Sequence, residues 1–69
     1  MPIYLAGLHE ELTIREITGS DKVKMHLTNL GFIVGETIMV LNKVGDSVIV
    51  KIKGVSLAIS RELAKRILV

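Results

Sequence analysis

With 69 residues the chain holds one domain, 1–69, and at that size a single core rarely supplies more than about 3–5 kcal/mol. Hydrophobic residues make up 49% but aromatic ones only 3%, so the core is Leu, Ile and Val; with no cysteine, a disulfide, a thiolate metal site and a cysteine nucleophile are all excluded. A net charge of +2 is small for a committed nucleic-acid binder, and so small a domain leaves little volume for a catalytic pocket. The expectation is a non-enzymatic binding module.

No uninterrupted apolar run is longer than Ile38-Met39-Val40-Leu41, far short of the ~20 residues a membrane helix needs. No basic region precedes the apolar residues at the start, so a signal peptide is not expected, and the absence of cysteine favours a cytoplasmic location.

Taken in chain order, Met1–Leu8 reads as a short arm or single helical turn anchored by Ile3, Leu5 and Leu8. Leu12–Ile17 reads as a first strand. Leu12 and Ile14 share a face and Ile17 breaks the alternation, which predicts a bulge or a strand end there. Gly19-Ser20-Asp21 is a turn that offers Ser20 or Asp21 as an N-cap. Asp21–Leu30 is the clearest helix, with Val23, Leu27 and Leu30 at i, i+4 and i+7. Gly31 stands where a C′ residue with positive φ is wanted. Leu27 is then the C3 residue and Phe32 the C″ residue of a Schellman ending, the pair that commonly packs together.

From Gly35 onward the period switches to two. Thr37–Val44 and Ser47–Lys53 read as strands joined near Gly45-Asp46. Two registers compete. A two-residue Gly45-Asp46 turn sets Met39 and Leu41 opposite Ile52 and Val50; a three-residue Val44–Asp46 loop sets Ile38 and Val40 there instead. A one-residue slip turns a whole strand face over. Gly54 ends the second strand, and Val55, Leu57 and Ile59 share one face of a third. Ser60 caps a helical turn, Arg61–Lys65, with Glu62 in its first turn. Ile67-Leu68-Val69 reads as a last short strand that closes the sheet. The order β-α-β-β-β-turn-β around an aliphatic core predicts a mainly β protein, a small SH3-like barrel with a helix inserted after the first strand.

Few residues carry chemistry. His9, His26, Glu10, Glu11, Asp46 and Glu62 are the candidate metal ligands, but none has helical ligand spacing, and consecutive residues rarely converge on one ion. No cofactor is expected. Ser20 and Ser60 are explained as caps, and neither a nucleophile elbow nor a glycine-rich phosphate loop is present. Lys43, Lys51 and Lys53 suggest a basic stripe on the outer sheet face, but Tyr4 and Phe32 alone make no stacking platform, so a solvated face is favoured and nucleic acid is not expected as a partner.

The most informative pattern is a surplus of apolar residues. In the three-residue-loop register Met39, Leu41 and Ile49 point outward, with Leu41 opposite Ile49; in the other register Ile38, Val40 and Ile49 do. Such a patch marks a partner-binding or self-association surface, which leaves a homo-oligomer open. The competing reading is that the N-terminal arm covers this face through Tyr4 and Leu5.

The run Leu27-Thr28-Asn29-Leu30-Gly31-Phe32-Ile33-Val34-Gly35, with Gly54–Ser60 and the closing Glu62–Val69, resembles the FeoA family. Within it Leu27, Leu30, Gly31, Phe32 and Gly35 form the structural motif. The resemblance covers about Leu8 to Val69 and implies an SH3-like barrel with a helix after the first strand. It places Ile38 and Val40 inward, which selects the three-residue loop. It further implies an accessory protein of bacterial ferrous iron uptake whose partner is a membrane transporter with a GTP-binding cytosolic domain. The alternative is a small barrel binding nucleic acid or a transition metal ion as a regulator. The family is described as metal-associated, so a weak ferrous or other divalent metal association belongs to what the resemblance implies. Two departures stand out: His9-Glu10 replaces the family's Pro-Gly turn before the first strand, and the loop at Val44–Asp46 is short.

Overall fold

A computed structural model describes all residues, 1–69. The elements are an N-terminal 3-10 turn (Ile3–Leu5), β1 (Leu12–Thr13), β2 (Glu16–Ile17), α1 (Asp21–Asn29), β3 (Thr37–Val44), β4 (Ser47–Ile52), β5 (Val55–Ser60), α2 (Arg61–Ala64) and β6 (Ile67–Leu68). β1, β3, β4 and β5 form a four-stranded antiparallel sheet in that order, and β2 pairs with β6 in a second, two-stranded sheet. This is the mainly β, SH3-like architecture expected, with the helix inserted after the first strand segment. The last strand does not close the first sheet; it completes the second one.

The expected first strand is divided. Leu12 and Thr13 pair with Ile38 and Thr37, whereas Glu16 and Ile17 pair with Leu68 and Ile67. The change falls at Ile14-Arg15: Ile14 donates its N–H to Glu36 O and Arg15 to Leu68 O. Ile14 is buried at this corner, so the chain leaves one sheet and enters the other without uncovering an apolar side chain. The interruption predicted at Ile17 therefore occurs earlier.

α1 is set at both ends by its sequence. Ser20 Oγ accepts from Val23 N at 3.2 Å, satisfying one of the N–H groups a helix start leaves unpaired. At the other end Gly31 has φ +104°; Phe32 N donates to Leu27 O at 3.0 Å and Gly31 N to Thr28 O at 2.9 Å. These are the two hydrogen bonds of a Schellman ending, and both Leu27 and Phe32 are fully buried. The helical stripe is narrower than expected. Val23 is half-buried, and Leu30, the C-cap, is 38% exposed.

The core gathers Ile3, Ala6, Ile14, Leu27, Phe32, Ile38, Val40, Val48, Val50, Ile52, Ile59, Ala64 and Ile67. Of the expected arm anchors only Ile3 is buried; Leu5 and Leu8 are exposed and Ala6 takes the inward position, because a 3-10 turn repeats every three residues. The arm is tied to the closing strand by a Pro2–Leu68 bridge and by Val69 N donating to Met1 O at 2.7 Å.

Candidate functional site

The outward apolar residues lie on the β3–β4 hairpin, and its pairing decides where they point. Ile38, Met39 and Val40 oppose Ile52, Lys51 and Val50; Asn42, Lys43 and Val44 oppose Ile49, Val48 and Ser47. The first half has the register of the three-residue loop and the second half that of the two-residue turn, and Leu41 is the extra residue that joins them as a β-bulge. The expected uniform register, with Leu41 opposite Ile49, is thus corrected: Asn42 takes the place opposite Ile49. Two local demands explain the compromise. Gly45 (φ +57°) followed by Asp46 without a positive φ has the sign pattern of a type II′ hairpin turn, which needs two residues. Burial of Ile38 and Val40 beside Val50 and Ile52 needs the other register. One additional residue satisfies both.

The bulge sorts the side chains. Met39, Leu41 and Ile49 are half-buried on the face opposite the core. Val44, 56% exposed, joins Ile49 on that face through the pairs Asn42–Ile49 and Val44–Ser47. The three-residue register places Val44 in the loop, whereas it pairs with Ser47 as the last residue of β3; the conflict between the turn chemistry and the core pattern is the sequence signal for this. Met39 faces a shallow cleft of about 280 Å³ whose rim carries Glu11, Glu36, Lys51 and Lys53. There Lys53 Nζ stands 3.8 Å from Glu36 Oε1, both side chains well exposed. A rim that carries two acids and two lysines suits a protein surface better than a polyanion.

The lysine stripe does not form as expected. Lys51 lies opposite Met39 on the outer face, and Lys53 sits in the β4–β5 turn with φ +52°, so β4 ends at Ile52. Lys43, past the bulge, opposes the buried Val48 and leaves on the core side. Its Nζ donates to Ala6 O at 3.1 Å and stands 5.7 Å from the Tyr4 ring centroid, while the Arg61 guanidinium lies 5.2 Å from the same ring. Tyr4 is thereby engaged by two cations that hold the arm on the end of the barrel, and the arm's aromatic residue is committed to Lys43 and Arg61. The arm's other contact with β3 is a parallel bridge from Leu8 to Val40, with His9 N donating to Val40 O at 2.7 Å.

The histidines and acids are scattered. His9 and His26 are exposed, as are Glu10, Glu11, Asp46 and Glu62. No group of three or more His, Asp or Glu side chains that could hold a metal ion is formed. His9 has φ +62°, in the left-handed region that non-glycine residues seldom adopt. Ser60 Oγ accepts from Leu63 N at 3.2 Å, as a cap should, and starts α2, which ends at Ala64 with Lys65 as its C-cap. No helix is long and apolar enough to cross a membrane.

The motif residues divide by task. Leu27, Gly31 and Phe32 build the helix ending. Gly35 (φ +97°) donates its N–H to Ile14 O at 2.8 Å, and Glu36 N to Ile33 O closes the turn that delivers the chain into β3. Leu30, with Ile33 and Val34, remains exposed.

The chain matches the model of the FeoA domain over residues 1–69. No curated protein matches it. Among solved structures, an iron uptake regulatory protein of the FeoA type is 28% identical, with a TM-score of 0.88, covering 97% of this chain and 91% of that one. A FeoA-like protein from Clostridium acetobutylicum is 23% identical, with a TM-score of 0.89 over 99% of this chain and 81% of that one. FeoA of Stenotrophomonas maltophilia in complex with zinc, described as an SH3 domain protein and a candidate ferrous iron transport activating factor, is 23% identical with a TM-score of 0.74, covering 99% and 87%.

Proposed function

The chain belongs to the FeoA domain family, and on that premise we propose that it is a non-enzymatic accessory protein of bacterial ferrous iron uptake, working in the cytoplasm by docking on the GTP-binding cytosolic part of the membrane ferrous iron transporter. The link to ferrous iron transport comes from the family and from the description of the Stenotrophomonas maltophilia relative. The observation that carries the docking reading is the half-buried row Met39, Leu41 and Ile49 on the outer face of the bulged hairpin, beside a charged-rimmed cleft. Interfaces of this kind set a small apolar centre in a polar rim. The non-enzymatic reading rests on the family and on the description of the Stenotrophomonas maltophilia relative as a candidate transport activating factor. The basic-stripe alternative loses support once Lys43 is turned to the other face.

The test is capture of the chain by the transporter's isolated cytosolic domain. Leu41→Glu and Ile49→Glu place a charge in the row, and each is expected to weaken binding at least about tenfold while circular dichroism stays that of the wild type. Equal binding by both folded variants would show that this face is not the docking surface.

A further inference from the structure

β5 is the edge of the four-stranded sheet and pairs only with β4. Its bonding pattern follows from the turn before it. In a two-residue hairpin the residues flanking the turn exchange both backbone bonds, and bonded and non-bonded pairs then alternate. Ile52–Val55, Val50–Leu57 and Val48–Ile59 are therefore the bonded pairs, and the N–H and C=O groups of Ser56 and Ala58 point away from the sheet. No backbone bond elsewhere in the chain uses them.

Exposed edges are usually blunted by charge, proline or a bulge. Val55-Ser56-Leu57-Ala58-Ile59-Ser60 has none of these. The other margins of the sheets are treated differently: β1 is two residues long, β3 beyond it is bridged by Leu8, and β6 is bridged by Pro2. β5 alone offers six residues of open, uncharged edge.

We propose that this edge pairs antiparallel with the same edge of a second copy, about a two-fold axis at Leu57. A two-fold axis makes the match self-complementary, donors meeting acceptors on both copies. Ser56 of one copy then opposes Ala58 of the other and the two exchange their free backbone bonds, with no charged residue between Val55 and Ser60 to oppose the pairing. The apolar row also fits. Burial along it is graded, from Val55 at 58% exposed through half-buried Leu57 to Ile59 at 4%. Antiparallel pairing sets the uncovered Val55 of each copy beside Ile59 of the other. The contact is short, so the dimer is weak and reversible, and it leaves the outer face of β3 free. It is therefore independent of the docking reading above.

The experiment is sedimentation equilibrium of the full chain from micromolar to millimolar concentration, with amide exchange followed by NMR. A reversible dimer is expected, in which the amides of Ser56 and Ala58 gain protection with concentration while those of Leu57 and Ile59 are protected throughout. Ala58→Pro deletes a donor that makes no bond within the chain, a position where an edge strand tolerates proline; Ala58→Lys keeps the donor and adds a like charge on each side of the axis. Each is expected to raise the dissociation constant at least about tenfold. A chain that stays monomeric throughout, or a dimer unchanged by whichever of the two variants keeps the wild-type fold, overturns the proposal.

Discussion

β4 meets β3 through two registers joined at Leu41, and meets β5 through a single unbroken register from Val55 to Ser60. The same strand thus serves two hairpins built on different terms. In the first, the type II′ turn at Gly45-Asp46 and the burial of Ile38 and Val40 require registers one residue apart, and the bulge absorbs the difference. In the second, turn and core agree. Lys53 (φ +52°) and Gly54 (φ +76°) are both in the left-handed region, as a type I′ turn requires, and Ile52–Val55 closes the hairpin in step with Val48–Ile59. The bulged hairpin acquires two differentiated faces, with Lys43 turned to Tyr4 and the apolar row turned out. The regular hairpin keeps a plain edge. An irregularity that looks like a defect is what gives one side of the sheet its surface chemistry.

The two hairpins differ first in how deeply their apolar residues are buried. Ile38 is fully buried opposite Ile52; Ile38→Ala is expected to cost about 2–5 kcal/mol, whereas Leu57→Ala, at a half-buried place on the regular hairpin, should cost clearly less. Urea denaturation of both variants checks the order. The turns come next. A Cβ at Gly45 meets nothing within 4 Å, so Gly45→Val is destabilising through the backbone alone (φ +57°), by about 1–2 kcal/mol. Lys53→Asn should act in the opposite direction and raise stability by up to about 1 kcal/mol, because asparagine accepts the left-handed region more readily than lysine; the exposed ion pair to Glu36 is a small loss against this. The finest probe is deletion of Leu41. The remaining pairs then fall into one continuous register, so the expected outcome is a folded chain with the pairs Val40–Val50 and Asn42–Ile49 intact, a flatter hairpin, and stability within about 1 kcal/mol of the wild type. Cross-strand NOEs decide: a shift of the Val40–Val50 pair shows that the bulge holds the register rather than reconciling two of them.

Where one local rule acted alone, the sequence was readable. Ser20 and Ser60 were caps because a helix start needs an acceptor. Gly31 and Phe32 ended α1 because a positive φ and a C″ apolar residue make a stop. Val48, Val50 and Ile52 are core in either register because Lys51 and Lys53 claim the other face, whereas alternation leaves Ile38 and Val40 open and the family resemblance places them inward. The reading failed where two rules disagreed. Leu12–Ile17 looked like one strand although two sheets claimed its halves, and a uniform alternation through Leu41 sent Lys43 to the wrong face and left Val44 in a loop. The arm was misjudged for a related reason: Leu5 and Leu8 are more apolar than Ala6, but only position 6 lies inward three residues after Ile3.

The amino-acid sequence by itself determined the order of elements from α1 onward, the caps and stop of the helices and much of the aliphatic core, because capping, periodicity and glycine stops act over a few residues and need no distant partner; its motif run carried the family resemblance. The tertiary structure alone decided the bulge at Leu41, the corner at Ile14-Arg15, the seating of Tyr4 between Lys43 and Arg61, and the open edge at Ser56 and Ala58. Each of these depends on which segments remote in the chain come to lie side by side, and that is settled by the packing of the whole core rather than by any residue's own preference.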